Sequence, residues 1–366
     1  MAPGQVGNGM RLHPEEFRLA CDYDTARGFE ELSPQQLKLI MDRGRELFRW
    51  FKNHLIAHNL INGTLIAFIL VTDGLVLLAL PHLFLAGARK ESFLWILIAS
   101  AIVGSAHSWL MYSMVLFSLH EGAAHNLIFC GTGSVARGAQ LVARNLCRIA
   151  AGEPDYYSEC HMAHHAKFGT EHDSEFLNFV IPHRYWLTFL PLAAFVNFSD
   201  FLIHRPLTYT KSRVISGCLS ALYNAVYAYL LYRSFGLTFV LLAMLVFMPH
   251  FGFYVDRLRQ FTEHNLMPLE NRNGARSFGI GFWGLLVGGG FWGQPCHLSH
   301  HLMPSIPWYQ QIRLHFFIRS ILTKRQRGQF MLKPFLGLPQ LLWRVVSDAN
   351  RFAGERGIPG PSAQQT

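Results

Sequence analysis

A chain of 366 residues that is 51% hydrophobic and only 15% charged departs from the composition of water-soluble proteins and fits one that lives in a bilayer. Its net charge of +9 comes from basic residues beside apolar spans, not from basic tracts interleaved with aromatics; this argues against nucleic acid and for a membrane surface or an acidic partner. The six scattered cysteines (Cys21, Cys130, Cys147, Cys160, Cys218, Cys296) make no C-x-x-C pair, so they read as small buried hydrophobes, without a disulfide framework or a thiolate zinc site.

Residues 1–10 and the tail from Gly354 lack apolar periodicity and are expected to be disordered. The first fifty residues carry Glu15, Glu16, Asp22 and Asp24 and show no cleavable leader, so insertion rests on internal segments. Ser33-Pro34-Gln35-Gln36 offers an N-cap, a proline at the first helical position and a capping-box glutamine, which predicts an amphipathic interfacial helix running past Trp50. Two spans follow, 59–85 and 92–119, joined by a turn with Arg89, Lys90 and Glu91; two more, 214–232 and 235–255, are joined near Arg233. The expectation is therefore an all-α integral membrane protein of four transmembrane helices in two hairpins. Only Arg89, Lys90 and Arg233 of the 32 Lys and Arg fall in the tight turns, so the other side, with both termini, is predicted to be cytoplasmic. The apolar stretches 187–203 and 278–293 are short and interrupted, and read as interfacial or re-entrant.

Nineteen histidines are present, and eight form three tight groups in polar sequence outside the spans: His120 and His125; His161, His164 and His165; His297, His300 and His301. The spacing i, i+3, i+4 in the second and third groups puts three imidazoles within ~100° of one helical face, as convergent ligation needs. In the first group i and i+5 lie ~140° apart on a regular helix, so the helix must end, unwind or bulge near Ala123. A single such histidine is more often an ordinary core residue, but eight imidazoles exceed what one ion coordinates, which implies two metals. His264 is a ninth candidate. Helical rise from Ser92 to His120 and from Phe235 to His264 is in each case roughly 42–44 Å, ~12–14 Å beyond a ~30 Å hydrocarbon core, so both imidazoles reach one height.

These boxes, and above all His300-His301-Leu-Met-Pro-Ser-Ile-Pro-Trp-Tyr309, resemble the membrane fatty acid desaturase superfamily over about residues 60–320. The resemblance implies a cytoplasmic histidine-rich cap in which His120, His125, His161, His164, His165, His264, His297, His300 and His301 bind two non-haem irons. It implies dioxygen-dependent oxidation of a lipid, most simply a fatty-acyl desaturase placing a double bond in a long acyl chain. A hydroxylase of a carotenoid or another lipid on the same site is the nearest alternative, since the histidines do not separate the two. Domain limits follow: a tail over 1–32, an interfacial helix over 33–58, a desaturase-like membrane and di-iron domain over 59–323, and a basic segment with a flexible tail over 324–366.

Glu121, Glu263, Asp173 and Glu175 are acids beside the boxes that can orient imidazoles, because metal-bound histidines commonly donate their other N–H to a carboxylate. Gln260 stands where animal acyl-CoA desaturases, within the resemblance, have an asparagine that reaches a metal through water. His250 is a further orienting candidate, while His172 is not expected to be a ligand and His13, His54, His58, His82, His183, His204 and His315 are expected at surfaces or interfaces. Phe117, Phe247, Phe251 and Trp283 are candidates to line an apolar lipid tunnel, against the plainer reading of core packing. The chain carries no haem, iron–sulfur or dinucleotide motif, so electrons must come from a separate ferredoxin or b-type cytochrome with its reductase. Arg137, Arg144, Arg148, Lys324, Arg325 and Arg327 can steer such an acidic donor or meet anionic lipid headgroups. A metal transporter is disfavoured because transporters place ligands at mid-bilayer; a zinc-dependent membrane hydrolase or receptor stays as the alternative of another class, although catalytic zinc usually needs only three protein ligands. Asp73, the only acid of the first span, is expected to face the bundle and to meet His107 of the second, at depths of roughly 18 and 22 Å from their shared turn.

Overall fold

The computed structural model describes residues 29–86, 92–168, 173, 210–264, 267 and 274–343. Within them the chain is helical, and the isolated bridge between Ser277 and Met331 is its one β pairing among the described residues. Helix α1 (Pro34–Asn53) opens with the expected capping box: the Gln36 amide donates to Ser33 Oγ at 3.2 Å and the Ser33 amide to Gln36 Oε1 at 2.9 Å. Four helical runs are long and apolar enough to cross a bilayer, as the hydropathy pattern requires: 55–83, 93–124, 211–235 and 237–264. They are α2 (Leu55–Ala86), α3 (Phe93–Leu116) continued by a π-helix (Phe117–Ala124), α6 (Lys211–Phe235), and α7 (Leu237–Val240) continued by a second π-helix (Leu241–Phe247) and α8 (Met248–His264). Between α6 and α7 stands Gly236 at φ +83°, a positive-φ conformation that only glycine takes without strain. The stretches 1–28, 87–91, 174–209 and 344–366, and with them Glu175 and the apolar stretch 187–203, lie outside the described residues.

Packing divides the chain into two units, one from residues 49–158 and 207–256 and the other from residues 1–48, 159–206 and 257–366. In the first, the span unit, α3 packs on α2 and on the second π-helix. At that second contact a Cβ on Gly104 would stand 2.5 Å from the Ala243 carbonyl oxygen, so glycine is what lets the two backbones touch, the usual device where no hydrophobic force drives helices together in lipid. Ala99, Val103, Tyr227, Leu231, Phe239, Val240 and Ala243 form its buried core.

Asp73 and His107 meet as expected, both buried, with His107 Nδ1 2.7 Å from Asp73 Oδ1. The Tyr223 hydroxyl of α6 donates to the other carboxylate oxygen at 2.7 Å, and Tyr227 stacks on the His107 ring with centroids 3.9 Å apart. Three spans thus share one buried polar knot.

Arg148 lies on the 3₁₀ turn Leu146–Ala150 that follows α4 (Ser134–Asn145). It is buried, donates to the Ser212 carbonyl and to Ser212 and Ser216 hydroxyls at 2.8–3.0 Å, and so fastens that turn to α6. This corrects its assignment to a steering surface, and Arg144 has its charge met by Asp155 at 2.8 Å. His58 is fully buried and not at an interface, facing Asn62 at 3.3 Å with its ring against Phe51. Of the cysteines, Cys147 and Cys296 are buried but Cys218, on the outer face of α6, is exposed. Phe117 is buried and Phe251 packs on Tyr112, Leu116 and Val255, so both serve the span unit's interior.

The second unit carries α5 (Pro154–Lys167) from Glu159 onward, the end of α8, α9 (Phe282–Val287), α10 (His297–Leu302), α11 (Trp308–Ile321) and α12 (Lys324–Phe330). Ile40, Leu47, Leu298, Ile306, Leu314, Ile318 and Phe330 make its core. Thr323 caps α12 in a complete capping box with Gln326, and Gln326 Nε2 donates to the Glu31 carbonyl at 2.8 Å, tying α12 to the start of α1. Trp283 points its indole N–H at the Phe335 carbonyl, 2.6 Å away, and so fixes the following chain.

Candidate metal centre

Seven of the nine nominated histidines come together in the histidine-bearing unit. The i, i+3, i+4 spacing turns His161, His164 and His165 to one face of α5 and His297, His300 and His301 to one face of α10, while His264 ends α8. All are buried except His165, which is half-buried. Their ring nitrogens fall into two sets. In one, the Nε2 atoms of His161, His165 and His300 stand 3.0, 2.7 and 3.3 Å apart. In the other, His297 Nε2 lies 2.9 Å from His264 Nε2 and 3.1 Å from His301 Nε2, and His164, His264 and His301 offer nitrogens within 4.8 Å of one another.

The opposite edge of several rings is held. His164 Nδ1 meets Asp173 at 2.8 Å and His264 Nδ1 the Gly274 carbonyl at 3.1 Å, while Glu263 stands 3.6 Å from His297 Nδ1, beyond hydrogen-bond reach. Glu263 is itself fixed by Arg259 at 2.7 Å, which also donates to Gln294 at 3.1 Å. His300 Nδ1 faces the Gln311 amide at 3.4 Å, and Gln311 in turn donates to the Ile306 carbonyl at 3.0 Å. Gln311 and Arg259 were not singled out in the sequence. Gln311 lies one helix beyond the third box and Arg259 one turn before Glu263, and neither spacing alone reports the contact. Gln260 is half-buried one turn before His264.

This donor set fits metal. Burial, and after it the neighbouring His297, His165, His264 and His164, hold His301 well below the usual imidazole range, so its lone pair is available. Imidazole nitrogens ~2.1 Å from one ion stand ~3.0–3.4 Å apart in tetrahedral or cis-octahedral arrangements, close to the 2.7–3.3 Å between the Nε2 atoms of His161, His165 and His300 and from His297 to His264 and His301. Holding Nδ1 on a carboxylate or carbonyl fixes the tautomer that presents Nε2 inward.

The first box belongs to the span unit. His120 sits on the π-helix and His125 caps its C-terminal end; the hydrogen bonds of such a helix run from i to i+5, as from the His125 amide to the His120 carbonyl at 3.2 Å. That wider turn sets residue i+5 over residue i, and the two rings lie with centroids 5.0 Å apart. The bulge demanded by the i, i+5 spacing is therefore a π-helix over the whole box. Gly122 is needed within it, since a Cβ there would meet Ile128 at 2.9 Å and the Arg144 backbone at 3.1 Å. Glu121 is fully buried with a carboxylate oxygen 3.4 Å from His120 Nδ1.

Four bilayer-length helices and buried imidazoles grouped in two sets define an integral membrane protein with histidine clusters able to bind metal. Residues 102–333, well over half of the chain, match the fatty acid desaturase family, and the chain belongs to that family. It is therefore a membrane oxidoreductase of the lipid desaturase and hydroxylase type. No curated protein and no solved structure matches it.

Proposed function

We propose that this chain is a dioxygen-dependent di-iron enzyme that introduces a double bond into a long acyl chain. The observation that carries the reading is the gathering of seven imidazoles into two sets of close ring nitrogens, with His164 Nδ1 braced by Asp173 and His264 Nδ1 by the Gly274 carbonyl. In this proposal all nine nominated histidines are ligands, His120 and His125 included, and Glu121, Glu263 and Asp173 orient imidazoles. Iron held there would supply the oxidising power needed to take hydrogen from an unactivated methylene. The protein's own work is to keep the imidazoles neutral, fix their tautomers and hold the ligand rings before the metal arrives. The spans form two hairpins with the boxes and both termini on the cytoplasmic side, in keeping with the Lys and Arg distribution. Electrons come from a separate acidic ferredoxin or cytochrome, so turnover falls as salt rises past the ~8 Å screening length of physiological solution.

Expression of the full chain in a host with a matching donor, followed by mass spectrometry of total lipids, tests the reading. A new acyl double bond, lost in His164→Ala and His300→Ala, is the expected result. A product heavier by one oxygen, on a carotenoid or another lipid, would replace desaturation by hydroxylation. An unchanged lipid profile would remove the proposal.

A further inference from the structure

A cavity of about 500 Å³ lies in the histidine-bearing unit among residues that the metal centre does not use. It is bounded by the chain at 278–281, by His315 and Arg319 of α11, by Lys324 and Arg327 of α12, and by the segment around Lys333 and Pro334. Its charge is one-sided: Arg276, Arg319, Lys324, Arg327 and Lys333 line it, and among the described residues no Asp or Glu does. Five cations around one concavity repel each other and set up a positive potential that a bound anion relieves. Arg276 is fixed in place, its guanidinium donating to the Gln329 carbonyl at 3.0 Å and the Thr262 carbonyl at 2.8 Å. Glu30, whose amide bonds to Gln329, turns its carboxylate to the Thr323 hydroxyl at 2.9 Å and not to the cavity.

His315 closes one wall of the cavity. His315, expected at a surface, is only 2% exposed, and its Nδ1 has no hydrogen-bond partner. Burial and then the Arg319 charge press its pKa down to about 4, so it lines the cavity as a neutral imidazole and adds no charge to the five cations. Gly279, at φ +72°, lets the chain close on this ring, since a Cβ there would stand 3.3 Å from His315 Nε2.

The cavity also has an apolar edge. Phe316 is 51%, Phe335 71% and Leu336 61% exposed, the last two set between the wall residues Pro334 and Gly337. A soluble phosphate would use the cations and leave that edge unexplained. A phospholipid uses both, its phosphate against the basic side chains and its acyl chains along the aromatic ones. We propose that this cavity binds the phosphate of an anionic membrane phospholipid, held by Arg319, Lys324, Arg327 and Lys333, with its chains along Phe316, Phe335 and Leu336.

The test uses the full-length protein in neutral detergent, stripped of lipid and titrated with phosphatidylglycerol or phosphatidylcholine while native mass spectrometry counts bound lipid. One phosphatidylglycerol per chain, bound at least tenfold more tightly than phosphatidylcholine, is expected. Arg319→Gln with Arg327→Gln should weaken it about 30-fold, at about fivefold per cation removed near a lipid phosphate, and Lys333→Gln alone about fivefold. The charge-matched pair Arg43→Gln with Arg45→Gln, on α1 and outside the cavity's lining, should leave binding unchanged. Equal affinity for the two lipids, or no loss in the cavity variants, would overturn the site. Displacement by sodium phosphate at the same concentration as the lipid would make it a site for free phosphate. Unaltered lipid binding, combined with loss of donor-driven turnover in the cavity variants, would make it a dock for a redox protein. Because Lys333 is exposed, its variant keeps the test informative if the arginine pair fails to fold.

Discussion

Replacing Asp73 by alanine removes the acceptor at the centre of the knot that joins α2, α3 and α6. The carboxylate makes two bonds of 2.7 Å, to His107 Nδ1 and to the Tyr223 hydroxyl. Asp73 and His107 are both nearly inaccessible, at 3% and 1%, so water cannot replace what is lost. Each buried group left without its partner costs ~1–3 kcal/mol in soluble cores, while interhelical bonds in bilayers average ~0.6 kcal/mol and reach ~1.7 kcal/mol. Two such bonds therefore place the loss for Asp73→Ala at about 2–4 kcal/mol. The assay is reversible unfolding in mixed micelles by denaturing detergent, followed by circular dichroism, with Tyr223→Phe and His107→Ala completing double-mutant cycles. Coupling of about 0.6–1.7 kcal/mol between Asp73 and each partner is expected. A loss under about 0.5 kcal/mol for Asp73→Ala, or cycles that close additively, would refute the reasoning.

Asp173→Asn removes the carboxylate from His164 Nδ1 and should lower metal affinity 10- to 100-fold with folding intact, measured by competition with a chelator. Gly104→Val drives a side chain into the Ala243 carbonyl and should cost ~1–3 kcal/mol in the same unfolding assay, whereas Gly74→Ala, in open space, should not. His315 takes up a proton near pH 6.5 when unfolded but only near about 4 when folded, so the unfolded state binds more protons between those values. Stability should be full above pH 6.5 and fall as pH drops from 6.5 toward 4, by on the order of 3 kcal/mol, and His315→Gln should flatten that limb of the pH curve. Parallel pH curves for the two proteins would show that His315 contributes nothing to it.

What the sequence carries on its face is what local periodicity encodes. Four apolar runs of bilayer length, the Ser33 capping box and the i, i+3, i+4 histidines are each set by residues within a turn or two of one another, and all three appear as expected. The Asp73–His107 contact was also within reach, because two spans sharing a turn have a common depth scale and a buried acid needs a partner. Tyr223 was not, since it lies 150 residues from Asp73 and no periodicity links them. The same holds for Arg148, whose partners Ser212 and Ser216 are 64 and 68 residues away and turn an apparent surface cation into a buried tie. The His120–His125 spacing announced an irregular helix, but its form, a π-helix closed by the His125 amide on the His120 carbonyl, depends on how the backbone packs around Gly122. His58 and His315 were misplaced because a lone histidine gives no sign of its burial until the long-range packing is known.

In the proposed function the convergent histidines hold two irons. Elemental analysis of the full-length protein, purified after growth with iron, manganese and zinc all supplied, measures it directly. About two irons per chain are expected, falling in both His164→Ala and His300→Ala, one variant from each nitrogen set, while the helical circular dichroism is retained. One metal per chain, zinc in place of iron, or an iron content indifferent to both substitutions would contradict it.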